Sequence, residues 1–170
     1  MQLIIRPVVT ILFIAVFFLT DVRAVENASR GPQFWTFQST GITTLGTGTS
    51  LGIGVDYNRH IFSLRSSATD LRPFQDTWDI GLLYGRSIEV NDYYISGAAG
   101  FGMIAGEQYS KIHGGTAEGS MDNMISFPVE GHFSRVLTNH LALGLYTYLN
   151  INTNQPFGGF GAAIRIGKFN

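Results

Sequence analysis

The chain has no cysteine. It can therefore form no disulfide framework and no thiolate metal site, although this does not exclude an oxidising compartment. Lysine is nearly missing too, present only as Lys111 and Lys168. Charged residues make up 14% of the sequence, against roughly 25% in soluble domains. A water-facing protein needs a charged skin, and there is little here to make one from. The formal net charge is −1, so no nucleic-acid partner is implied. No apolar run reaches the ~20 residues of a comfortable transmembrane helix.

The longest apolar run is residues 8–19, broken only by Thr10 and preceded by Arg6. Val22-Arg23-Ala24 follows as a small-residue cleavage site. This order is that of a secretory signal peptide. Residues 1–24 are expected to be removed, leaving residues 25–170 as one domain. With no cysteine to follow the signal, a lipoprotein anchor is ruled out.

What the chain does have is glycine, 21 residues of it, and aromatics at 13%. They fall into an alternating pattern that is clearest at residues 48–57. There Thr49, Leu51, Ile53, Val55 and Tyr57 alternate with Gly48, Ser50, Gly52, Gly54 and Asp56. Period two marks a strand with one apolar and one polar face. The polar face is small and lacks lysine, which suits a crowded lumen better than open water.

The same grammar recurs at residues 34–44, 60–69, 76–88, 92–105, 124–135, 140–151 and 157–169. In the first of these, the weakest, Trp35 and Phe37 share a face opposite Thr36, Gln38 and Thr40. With residues 48–57 the count is eight strands, each near the ~9–11 residues of a tilted membrane strand. Connections at 58–59, 89–91 and 137–139 are tight, whereas those at 70–75, 106–123 and 152–156 are longer. Short inner turns with longer outer loops follow the outer-membrane pattern. An even count also lets the sheet close without an open edge. The expected fold is all-β, an eight-stranded antiparallel up-and-down transmembrane barrel, with 106–123 as its longest outer loop.

Alternation alone does not say which face points out. A secreted lipocalin-like barrel would turn the apolar face inward around a greasy ligand. Its other face would then meet water and need Lys and Glu, whereas here that face is Gly, Ala, Ser and Tyr. Tyr57, Trp78, Tyr93 and Phe133 sit near strand ends on the apolar face, as an aromatic girdle would. The apolar face is therefore expected to meet lipid. Asp56, Arg65, Asp79, Glu130 and Arg165 then point inward. Eight strands leave an interior just wide enough for side chains. These charges are expected to pair into a plug, the acids binding both arginines, and not to line a pore.

Residues 48–57, 78–86 and 143–146 resemble the small eight-stranded outer-membrane barrels of Gram-negative bacteria, and among them a group of uncharacterised short barrels. Residues 161–166 resemble the terminal-strand signal read by the barrel-assembly machinery, although Asn170 follows Phe169 where the usual signal ends on the aromatic. The resemblance implies an outer-membrane location, with membrane lipids and that machinery as partners. It implies no activity and no cofactor.

One constellation has the parts of a nucleophilic triad. Glu130, His132 and Ser134 share a strand face at i, i+2 and i+4. Outer-membrane lipid A deacylases also pair His and Ser two residues apart on a barrel strand, but their His-x-Ser continues with Asn, and here Arg135 follows. Same-face neighbours on a strand stand ~6.5–7 Å apart, too far for a direct hydrogen bond. The alternation also points all three into the lumen, away from lipid. They read better as part of a polar network with Arg65 and Arg165. Residues 100–105 match the GxGxxA dinucleotide fingerprint but open no helix, so the required context fails. His60, His113, His132 and His140 lie on different segments without ligand spacing, and no metal site is expected.

The expected function is thus a non-enzymatic structural or surface-interaction barrel whose surface partner the sequence does not name. A lipid A deacylase-like enzyme and a narrow channel or small-ligand binder are the alternatives.

Overall fold

The computed structural model describes residues 31–70, 76–109, 117–153 and 156–169. The expected signal peptide, most of the 70–75 connection and part of the 152–156 connection lie outside them. Eight strands follow in order: β1 (Gln33–Thr43), β2 (Gly46–Tyr57), β3 (His60–Asp70), β4 (Asp76–Val90), β5 (Tyr93–Tyr109), β6 (Ala117–Thr138), β7 (Leu141–Ile151) and β8 (Phe157–Gly167). Each pairs antiparallel with the next, and β8 returns to β1, so the sheet closes as a barrel. Closure leaves no edge strand with unpaired backbone groups.

The two ends differ. At one end Asn58 and Arg59 take φ of 51° and 68°, the paired left-handed conformation of a two-residue hairpin turn. Asn91, with φ of 54°, opens the next turn at this end. Backbone bonds tie these turns to neighbouring strands, Ser87 N–H donating to Arg59 O at 2.9 Å and Val136 N–H to Asp92 O at 2.7 Å. The other end carries the longer connections, except between β1 and β2, which a short turn at Thr44 and Leu45 joins.

The core lies inside the barrel. It includes Trp35, Phe37, Ile61, Tyr94, Tyr146, Tyr148 and Phe157. Large apolar side chains cover the outside, among them Phe34, Leu82, Phe101, Ile125, Leu145 and Phe160. This is the inverse of a water-soluble barrel with a greasy lumen.

Two sequence expectations are corrected. The first is β1, where the pair Trp35 and Phe37 points inward while Thr36, Gln38 and Thr40 face out. The reason lies on β2. In register, Phe37 pairs with Gly52 and Trp35 with Gly54. A Cβ on Gly52 would stand 2.1 Å from the Phe37 ring, and one on Gly54 would stand 2.4 Å from the Trp35 ring. The inner glycines of β2 are the seats of the β1 aromatics.

The second is the 106–123 loop. Gly106–Tyr109 pairs with residues 117–121, so the hairpin ladder extends well into that stretch. Register shifts between Ile104 and Gly106, and between Gln108 and Tyr109, interrupt the alternation there. A bulge adds an unpaired residue and throws period two out of phase, which is why the stretch reads as non-periodic.

Candidate functional site

The inner faces of β3, β4, β6 and β7 bring together the lumen's best-connected polar groups. Arg65 Nη2 donates to Asp79 Oδ2 at 2.7 Å, with both side chains essentially fully buried. Ser67 Oγ donates to Asp79 Oδ1 at 2.6 Å. Asn150 Nδ2 reaches Asp79 Oδ2 at 2.5 Å, and Asn152 Nδ2 bonds Asn150 Oδ1 at 3.1 Å. On its other side Arg65 Nη1 donates to the Tyr146 hydroxyl at 3.3 Å, and that hydroxyl donates to Glu130 Oε2 at 3.2 Å. Asp79 thus accepts three charge-assisted or amide bonds, the condition under which a buried ion pair is tolerable.

Nearer the turn end, Asp56 Oδ2 accepts from Ser87 Oγ and, at 3.0 Å, from the Tyr94 hydroxyl. The structure brings Arg65, Asp79 and Glu130 into one connected network, and places Asp56 in a separate one. Arg165 joins neither by an ion pair. It is 1% exposed, and its guanidinium lies 3.8 Å from the Trp35 ring centroid and 4.0 Å from that of Tyr94. The expectation that acids bind both arginines is therefore corrected for Arg165. Trp35 faces inward, and with Tyr94 it sandwiches the cation.

The Glu130, His132 and Ser134 side chains all point into the lumen. His132 Nε2 stands 3.6 Å from Glu130 Oε1, beyond hydrogen-bond range. Neither His132 nitrogen nor Ser134 Oγ has a hydrogen-bond partner among the described residues. The imidazole packs against Phe37 and Tyr146, with ring centroids 4.8 Å away in each case. No nucleophile–base contact is formed, and the chemistry of a triad is not assembled.

Tyr57, Trp78, Tyr93 and Phe133 face outward near strand ends. Tyr93 and Phe133 stack at 5.5 Å across β5 and β6. A further outward cluster at the turn end links His60 Nδ1 to the Tyr84 hydroxyl at 2.7 Å. Among the described residues no group of three His, Asp or Glu side chains is placed to hold a metal ion. Alternation alone assigned the lumen faces, but the partners of Asp79 could not be read from it. Asn150 comes from a strand on the far side of the barrel, and only closure brings it there.

A closed eight-stranded antiparallel barrel, polar and packed inside and apolar outside, is the class of fold to which this chain conforms. No family model matches the sequence, and no curated protein matches it. Solved structures do. The N-terminal β-barrel domain of Pseudomonas aeruginosa OprF superposes with a TM-score of 0.63 at 6% identity, over 79% of this chain and 96% of that one. Neisserial surface protein A (NspA) gives 0.56 at 17% identity, over 84% of this chain and 100% of that one. A barrel from the de novo design of transmembrane β-barrels gives 0.51 at 13% identity, over 82% and 99%. At these identities the likeness is one of fold.

Proposed function

We propose that this chain is an outer-membrane barrel of a Gram-negative bacterium, exported by a signal peptide at residues 1–24. Its role is structural or surface-interacting and not enzymatic. The observation that carries the reading is the pairing of an apolar, aromatic-ended exterior with a lumen crossed by the Arg65–Asp79–Asn150 network. An exterior of that kind is stable against lipid and a liability in water. A lumen spanned by buried, bonded side chains favours a plug over a channel. Partners on this reading are outer-membrane lipids and the barrel-assembly machinery, which would read the terminal strand β8. The β5–β6 hairpin would be the part that meets a surface partner. The chain then belongs with the short barrels to which no activity is attached.

Expression in a Gram-negative host tests this. The mature protein is expected in outer membranes after urea washing, migrating faster on gels when unboiled. Recovery as a soluble periplasmic protein overturns the reading.

A further inference from the structure

Arg165 is the one described lumen arginine without an acid. None of Nε, Nη1 or Nη2 has a hydrogen-bond partner among the described residues. Among the described lumen acids, Asp79 and Glu130 are engaged by the Arg65 network and Asp56 by Ser87 and Tyr94, while Glu89 stands opposite Tyr94 in the β4–β5 register. Trp35 from the neighbouring strand and Tyr94 from β5 across the barrel cover the two faces of the guanidinium. Stacking of this kind stabilises the cation through its faces and leaves the in-plane N–H donors unmet. A buried cation with unmet donors is costly unless an anion completes it.

The surroundings are donor-rich. Ser134 lies beside Tyr94 in the β5–β6 register, and its Oγ has no partner. Trp35 Nε1 has none either. Ser63, whose Oγ is likewise unpartnered, pairs across β2 with Gly54, the glycine against which Trp35 sits. Hydroxyls and N–H groups around a guanidinium favour an acceptor-only ligand. Because both faces of the cation are occupied, that ligand must approach along the edge. There the planar fork matches a carboxylate in bidentate fashion.

We propose that Arg165 anchors a binding site for a small planar oxyanion of the carboxylate class, inside the turn-end half of the lumen, with Trp35 and Tyr94 as its walls. The site is independent of where the barrel resides and of what its hairpin meets.

Trp35 is the built-in reporter. The chain has two tryptophans, and the other, Trp78, faces outward. The refolded mature protein carrying Trp78→Phe is titrated in detergent with sodium formate, sodium chloride holding ionic strength constant. The expected result is a saturable, one-site change in Trp35 emission and a parallel rise in unfolding temperature. Arg165→Met is expected to abolish both. Arg165→Lys keeps the charge and loses the fork, and should shift half-saturation by about tenfold or more. If Arg165→Met does not fold, the Lys variant carries the comparison. The proposal is overturned by the absence of a saturable response to formate, by an equal response to chloride, or by an undiminished response in either Arg165 variant.

Discussion

Asn150 on β7 donates to Asp79 on β4 at 2.5 Å, a bond between strands that are not neighbours in the sheet. It joins opposite walls of the barrel. Asp79 also holds Arg65 at 2.7 Å, so one carboxylate ties three strands together.

Removing that carboxylate strands a buried guanidinium. Asp79→Ala is expected to destabilise the barrel by ~3–5 kcal/mol, the cost of breaking a buried pair from one side. The double variant Arg65→Met, Asp79→Leu should recover a large part of the loss, because no charge is then left unpaired. Urea unfolding of both in detergent decides it. Equal losses for the single and the double variant would show that the pair does not act as a unit.

The two lumen arginines should behave differently. Arg65→Met leaves Asp79 buried without its cation and should cost ~3–5 kcal/mol. Arg165→Met removes a cation that has no acid partner among the described residues. Losing its two ring contacts costs ~1–4 kcal/mol in total, offset by removal of an unpaired buried charge. The expected order is a clear loss for Arg65→Met and a small one for Arg165→Met, read from unfolding midpoints. The reverse order would contradict the assignment of ion-pair partners.

The outer face gives a depth test. Leu82 is 69% exposed midway along β4, and Val90 is 53% exposed at its turn end. In a bilayer, Leu82→Arg should cost ~2–4 kcal/mol and Val90→Arg ~0–1 kcal/mol, because arginine near the interface reaches water. Folding titrations into lipid vesicles measure the difference. Two equal effects would mean that Leu82 does not lie at the membrane midplane.

Glycine 100 belongs to the GxGxxA match and has a structural task. A Cβ there would stand 1.9 Å from the Leu82 carbonyl oxygen, a backbone atom that cannot swing away. Gly100→Ala is expected to cost ~1–3 kcal/mol through overpacking. Gly131→Ala meets the Thr147 methyl at 3.2 Å and the Ser96 carbonyl oxygen at an ordinary 3.7 Å, and should be nearly neutral. Unfolding midpoints of the two variants check the contrast, and a neutral Gly100→Ala would refute the close approach.

Ser134→Ala tests the enzymatic alternative. The hydroxyl is 1% exposed and touches no base. Expression of the native chain should leave lipid A acylation unchanged, as should the variant, by mass spectrometry of extracted lipid. Deacylation by the native chain that Ser134→Ala abolishes would restore the triad.

Strand number and facing were legible wherever one face was greasy and the other small. Leu51, Ile53 and Val55 against Ser50, Gly52 and Gly54 define β2 because side chains alternate with period two. Where that contrast failed, the reading failed. On β1 the larger aromatic pair turned inward, because the space for Trp35 and Phe37 is made by glycines on another strand. On β5 and β6 the bulges hid a continued hairpin from any periodicity count.

By itself, then, the sequence determined the alternation and the turns, both of which depend on neighbours a few residues apart. Which charge meets which partner was decided by tertiary structure alone. Barrel closure and strand stagger set the height at which each inward side chain arrives, and these are properties of the whole sheet. Arg65 arrives beside Asp79, and Arg165 arrives between Trp35 and Tyr94. Two arginines in the same alternating context thus acquire different chemistry from the registers of strands distant in the chain.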